Sequence, residues 1–237
     1  MQITLERYTD PDRKSLAKSA AVYLGKTDYD NIKRPLGIIR QHHTLAIFRG
    51  EHARFHFKDV SKVVYDHLIT YTTAEMRACG GLRANEAQVF IPPVEDNDPI
   101  YAQIGMSHLR DYSNLVHGID PNTDDPIKKK RLQAARSVAP TSVGLTFMFQ
   151  WNFATLIEAI FPQRLWTPGA QPDTRAVVQT MFDLVREQDL ELWDLVYEMY
   201  GPESQSWKQL RRKLKKENFD LYKEIMQKYG NMKSMWD

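Results

Sequence analysis

The chain has 237 residues, 42% hydrophobic and 26% charged, with a net charge of +2. These are ordinary values for a folded globular protein, and a chain of this length buries a sizeable core. Near-neutral charge gives no global case for a nucleic-acid or anionic-membrane partner, the single cysteine excludes an intrachain disulfide, and no apolar run approaches the ~20 residues of a bilayer span.

The opening MQITLERYTDPDRK lacks the apolar core of a signal peptide, so the expected location is the cytoplasm. MQITLERY alternates Ile3 and Leu5 with polar residues and predicts a first strand. A helix is expected next, with Thr9 or Asp10 as N-cap, Pro11 in its first turn, Leu16, Ala20 and Tyr23 on one face, and Gly25 at its end. HTLAIFRGEHARFHFKDVS reads as extended, with Ala53, Phe55 and Phe57 on one side and Arg54, His56 and Lys58 on the other. Asp59 is the predicted cap of the following helix, whose face carries Val60, Val63, Val64, His67, Leu68 and Tyr71. That helix leads toward a Gly-Gly turn beside Cys79.

AQVFI predicts a short strand ended by Pro92-Pro93. The stretch from Glu95 to Pro140 is mostly helical, broken around GIDPNTDDP. TSVGLTFMFQW predicts a strand with Phe147, Phe149 and Trp151 on one side, and NFATLIEAIFPQRLW a helix as far as Pro162. Two amphipathic helices follow, over residues 174–200 and 204–230. The expected architecture is one α+β domain, a central antiparallel sheet flanked by helices, with a helical C-terminal extension from about residue 200.

Five histidines fall between His42 and His67, but no metal-ligand spacing such as HExxH is present, and polar positions on a sheet face account for them; no metal site is expected. The basic runs Lys128–Arg131 and RRKLKK read as solvated helix faces, so no nucleic-acid partner is expected. Cys79, close in sequence to Arg77 and Arg83, is a candidate nucleophile against the default of a small packing residue. Arg136, in AARSVAP, is by itself a surface arginine.

Several segments, in order, resemble the flavin-dependent thymidylate synthases. YTDPDRKSLAKSAAVYLG is similar to that family's T-P-D-P-E and Ala-rich first helix, and GEHARFHFKDVSKVVYDHLI to its E-H-x-x-F-T-F…V-S-R…Q-L-V. AARSVAPTSVGLTFMFQWN resembles its A-R-x-V-L-P segment with the downstream asparagine at Asn152, and AQPDTRAVVQTMF its A-Q-x-E-I-R helix start.

The resemblance implies a homotetramer in which FAD, a pyrimidine deoxynucleotide monophosphate and a folate meet. The implied reaction is C5 methylation of dUMP to dTMP by methylenetetrahydrofolate, with flavin carrying the hydride and NADPH as reductant. Carried over residue by residue, Arg136 polarises the pyrimidine, Arg164 is a second nucleotide arginine displaced by one position around Pro162, and Gly80, Gly81 and Arg83 form the phosphate-holding turn. Glu51, Asn152, His67 and the pair His43-Thr44 fall at flavin and folate positions.

One departure stands out. Where the family has Arg-His-Arg reaching the flavin and its phosphates, this chain has Thr70-Tyr71-Thr72. Losing two cations from a pyrophosphate site removes charge-assisted bonds worth roughly 1.5–3 kcal/mol each. The threonine hydroxyls of Thr70 and Thr72 remain as donors. Three readings therefore stay open: dUMP methylation with FAD; folate-dependent hydroxymethylation or methylation of dCMP or dUMP with altered or absent flavin, aided by attack of Cys79 on C6; and a non-catalytic nucleotide-binding relative.

Overall fold

A computed structural model of the chain describes residues 1–80, 99–120 and 122–229. Strands β1 (Gln2–Tyr8), β2 (His52–Ser61), β3 (Met76–Cys79) and β4 (Gly144–Asn152) form an antiparallel sheet in the order β1-β2-β4-β3. Helices pack around it and others continue past it toward the C-terminus, so the predicted α+β class and helical extension are what the chain adopts.

The side-chain period sets the register. Ala53, Phe55 and Phe57 on β2 are fully buried and pair with Trp151, Phe149 and Phe147 on β4, the alternation read from the sequence. Burial of each large side chain contributes about 1.5–3 kcal/mol, and a one-residue slip would expose the whole set. Phe57 stacks on Phe147 with ring centroids 4.5 Å apart. The opposite face is polar: Arg54 Nε donates to Gln150 Oε1 (2.9 Å), and Gln150 Nε2 to Glu75 Oε2 (2.7 Å).

α1 (Lys14–Tyr23) begins later than expected. Pro11 precedes it, Arg13 takes a left-handed turn (φ 60°), and the Asp10 carboxylate accepts from the Ser15 and Leu16 amides at 2.8 and 2.7 Å. Its buried face is Leu16, Ala17, Ala20 and Ala21, whereas Tyr23 is exposed. Gly25 ends the segment at φ 64°, as predicted. α2 (Arg34–Arg40) follows, and a 3-10 turn (Leu45–Arg49) occupies part of the stretch read as extended, so the strand itself starts only at His52.

Asp59 is not a helix cap. β2 continues through it with a register shift and a φ of 54°, and α3 (Lys62–Leu68) follows Ser61. α3 buries Val64 and Leu68, then stops. The threonine-rich segment after it is a poor helix former, and the chain turns back to pair β3 along the outer edge of β4. Arg77 and Cys79 consequently sit on an edge strand, where the sequence reading had a helix terminus.

α4 (Pro99–Val116) and α5 (Pro126–Ala135) form a hairpin around Tyr112, Val116, Leu132 and Ala135, with the polar break between them as expected. The strand predicted over AQVFI lies outside the described residues. After β4, α6 (Phe153–Thr155) runs into π-helical turns at Leu156–Ile160 and Pro162–Trp166. The helix therefore does not end at Pro162, which opens the second turn, a position that tolerates its missing N–H.

The two long C-terminal helices of the sequence reading are four: α7 (Pro172–Gln188), α8 (Leu190–Tyr200), α9 (Pro202–Glu217) and α10 (Phe219–Tyr229). Asp189 and Asn218 divide them, each side chain accepting from the amide three residues on (Leu192 and Leu221, both 3.1 Å) and so capping a new helix. Among the described residues, no helix is long and apolar enough to cross a membrane.

Candidate functional site

Behind the polar turn that joins α3 to β3, Tyr71 is buried. Its hydroxyl donates to Gln163 Oε1 (3.2 Å) and accepts from Arg164 Nε (2.9 Å). The Arg164 guanidinium also lies 5.5 Å from the Tyr71 ring centroid, and Arg77 Nη2 donates to the Tyr71 carbonyl at 2.9 Å. Burial pushes the Tyr71 phenol above its ordinary range, partly opposed by the Arg164 charge, so it stays neutral and can both give and receive a hydrogen bond. Tyr71 is a post that aims Arg164.

The neighbouring hydroxyls are satisfied internally. Thr70 Oγ1 donates to the His67 carbonyl (2.6 Å), and Thr73 and Thr155 share a bond of 3.0 Å. His67 Nδ1 meets the buried Thr174 hydroxyl at 2.7 Å. Burial, then the Arg164 charge, holds the His67 imidazole below its usual range, with Asp66 pulling it upward; the ring is neutral at pH 7. Thr72 is exposed.

Arg164 reaches this place through π-helical backbone. Phe161 N bonds Leu156 O, and Thr167 N bonds Pro162 O, both five residues back. A π turn holds one residue more than an α turn.

Other candidate residues divide into groups. Glu51 and Asn152 come together at the β2–β4 end: the Glu51 carbonyl accepts from Phe153 N (2.8 Å), while Asn152 Oδ1 caps Thr155 N (2.9 Å). The exposed His43 and Thr44 precede the 3-10 turn that packs on α6; Thr44 Oγ1 accepts from Ala46 N (3.2 Å), and His43 meets Tyr23 edge-on. Arg136 is exposed at the end of α5, in the helical hairpin rather than beside Arg164.

Cys79 is exposed on β3, and partial burial pushes its thiol up, opposed by a hydrogen bond from Tyr65 and by the Lys62 charge. Its neighbour Arg77 is engaged at Tyr71, and the sulfur stays a thiol at neutral pH. Gly80 continues the β ladder, its N–H donating to Thr146 O at 2.9 Å, so that amide does not face an anion. A Cβ at Gly80 would meet the same carbonyl at 3.3 Å. Gly81 and Arg83 lie outside the described residues.

Sequence reasoning missed a cleft of about 460 Å³ on the far side of Arg164, where α9 faces the π-helical turn. Lys208 and Arg212 line it with Arg164, Gln163, Gln205 and Glu158. The signal was present: positions 208 and 212 are four apart and share a helix face. Among the described residues, no three His, Cys, Asp or Glu side chains converge as metal ligands.

Residues 4–189 match the sequence model of a family described as thymidylate synthase complementing protein. None of the curated proteins matches the chain. Among solved structures, a flavin-dependent thymidylate synthase ThyX from Helicobacter pylori, complexed with FAD and dUMP, superposes with a TM-score of 0.62 at 14% identity over 78% of this chain and 93% of that one. A second structure of ThyX from H. pylori with FAD and dUMP gives 0.63 at 16% identity, covering 83% and 99%. A UMP/dUMP methylase PolB from Streptomyces cacaoi, bound with 5-Br dUMP, gives 0.59 at 13% identity, covering 85% and 96%. At these identities the superpositions establish the shared fold.

Proposed function

The chain belongs to the thymidylate synthase complementing protein family, and from that membership we propose that it is an enzyme transferring a one-carbon unit to C5 of a pyrimidine deoxynucleotide monophosphate. The substrate is dUMP, the carbon donor is methylenetetrahydrofolate, and the product of the leading reading is dTMP. The observation that carries the proposal, beyond the family match, is Arg164 held by the Tyr71 hydroxyl and ring. With Nε fixed, the terminal nitrogens are left for planar, paired bonds to a pyrimidine carbonyl or a phosphate.

Attack by a pyrimidine C5 on an electrophilic carbon needs negative charge on the ring carbonyls to be stabilised, and aimed arginines do this without reorganising. Arg164 and Arg136 are assigned that work. Because they lie in different parts of one protomer, the homotetramer implied by the resemblance would let the α4–α5 hairpin of one copy meet Arg164 of another. His67, neutral and bonded to Thr174, fixes the wall beside them.

The methylation reading takes its hydride from reduced FAD, recharged by NADPH. The residues at 70–72 do not fit the FAD pyrophosphate. Thr70 spends its hydroxyl on the His67 carbonyl, Tyr71 is turned inward onto Arg164, and no cation replaces the two that the family carries at these positions. That misfit favours a second reading, in which the C5-bound methylene is captured by water. There dUMP, methylenetetrahydrofolate and water give 5-hydroxymethyl-dUMP and tetrahydrofolate, with no net redox change and no flavin. The same chemistry on dCMP is a variant of it.

Tritium release from C5-labelled dUMP or dCMP in the presence of methylenetetrahydrofolate tests the proposal, with product mass read with and without FAD and NADPH. Release that requires FAD and yields dTMP supports methylation, and flavin-independent release yielding the hydroxymethyl nucleotide supports the second reading. No release from either nucleotide under any condition leaves a non-catalytic relative.

A further inference from the structure

Three cations crowd one cleft at the join between the family-matched residues and the C-terminal extension. Arg164 comes from the π-helical turn, while Lys208 and Arg212 come from α9, beyond the matched residues 4–189. The cleft, of about 460 Å³, adds the side-chain amides of Gln163 and Gln205, the first bonded to Tyr71 and the second donating to the Tyr200 carbonyl at 2.8 Å. Among the described residues, Glu158 is the one carboxylate in its lining, against three positive groups.

Neither Lys208 nor Arg212 has an ion-pair or hydrogen-bond partner among the described residues. Burial, followed by the charges of Arg211 and Arg212, holds the Lys208 ammonium below its ordinary range, with Glu158 opposing the shift. Like charges brought together at a half-buried position are unfavourable unless something of opposite sign is held between them. Lys208 is partly buried and Arg212 exposed, and both line the cleft, whereas the exposed Lys213 and Lys216 of the same helix do not.

We propose that α9 completes an oxyanion-binding site with Arg164, in which Lys208 and Arg212 hold the anionic end of a reaction partner. Two sources carry that chemistry, the 5′-phosphate of the nucleotide and the glutamate carboxylates of the folate. The site itself stands on the cleft; the identity of its occupant rests on the proposed function. The Gly80 amide is engaged by the Thr146 carbonyl, whereas among the described residues the cations of this cleft are not so engaged.

The test compares the full-length chain with the double variant Lys208→Gln/Arg212→Gln and with Lys213→Gln/Lys216→Gln, which removes equal charge from α9 outside the cleft lining. Calorimetry follows inorganic pyrophosphate, dUMP against deoxyuridine, and the mono- against the polyglutamate form of methylenetetrahydrofolate, at low and moderate salt. Loss of two charge-assisted contacts should weaken pyrophosphate about tenfold or more in the cleft variant only, with a shallower salt dependence. Loss of the preference for dUMP over deoxyuridine assigns the site to the nucleotide, and loss of the polyglutamate preference assigns it to the folate.

Equal weakening by both double variants, or none by either, overturns the site. Weakened pyrophosphate with both preferences intact overturns the assigned occupants. Circular dichroism and the melting midpoint establish that both variants fold, and Lys208→Arg, which keeps the charge, should retain binding. Tritium release is scored separately, so a chain that binds pyrophosphate through α9 yet releases no tritium fails the proposed function and not the site.

Discussion

α8 and α9 are consecutive helices beyond the family-matched residues, and they do opposite things. α8 buries Leu192, Trp193, Leu195 and Val196, with Trp193 packed against Phe153, Phe161 and Phe182 and its indole N–H donating to the Tyr8 hydroxyl at 2.9 Å. α9 buries only Ser204 and Gln205 and carries its cations on the surface and in the Arg164 cleft. One helix finishes the core that the sheet begins. The next adds charge to a recess. Helical periodicity alone does not distinguish these tasks, because both helices are amphipathic; the chemistry of the face that is turned inward does.

The largest expected effect is on the α8 side of that contrast. Trp193→Ala should cost about 3–5 kcal/mol in denaturant unfolding, by loss of buried area and the cavity left behind. A loss under about 1 kcal/mol would show that α8 is not part of the core. Next, Lys208→Gln/Arg212→Gln should leave the unfolding midpoint near wild type while weakening pyrophosphate about tenfold or more. A comparable fall in stability would erase the distinction between the two helices.

Tyr71→Phe tests the link between core and cleft. It removes the hydroxyl that fixes Arg164 and should cost about 0.5–1.5 kcal/mol of stability. Because the ring remains, dUMP binding should weaken less than in Arg164→Gln, as measured by calorimetry; equal losses would mean that the hydroxyl does all the aiming.

The smallest effect is a pH dependence. His67 resists protonation in the folded state, whereas the unfolded chain takes the proton near the ordinary value of 6.5. Its contribution is therefore complete above about pH 6.5 and is lost as pH falls through the lowered folded value. The melting-midpoint advantage of wild type over His67→Gln should shrink between pH 8 and pH 5.5. A constant difference would show that the ring does not titrate this way.

Much of the sheet was legible. The alternation of Ala53, Phe55 and Phe57, and of Phe147, Phe149 and Trp151, named the two strands and the faces that meet in the core. Gly25 was legible for a similar reason, since a positive φ favours the one residue without a Cβ. Asp59 misled because an aspartate caps helices and also tolerates a left-handed bulge, and only pairing with β4 selects between them. Asp189 and Asn218 are the converse: they sit inside continuous helical patterns, yet their side chains cap new helices.

Of the candidate site, the sequence named Arg164 but not what holds it. The Tyr71 hydroxyl and Arg164 are 93 positions apart, and nothing in the local pattern of either announces the bond. By itself the sequence determined the strand faces, the helical character of the C-terminal third and, through ordered motifs, the family, because these depend on periods and residue types that act locally. The tertiary structure decided that the segment carrying Cys79 pairs as a strand, that a π turn brings Arg164 onto Tyr71, and that Lys208 and Arg212 join Arg164 in one cleft. Those outcomes depend on long-range contacts, where an open sheet edge, a buried hydroxyl or a neighbouring charge overrides what the local residues prefer.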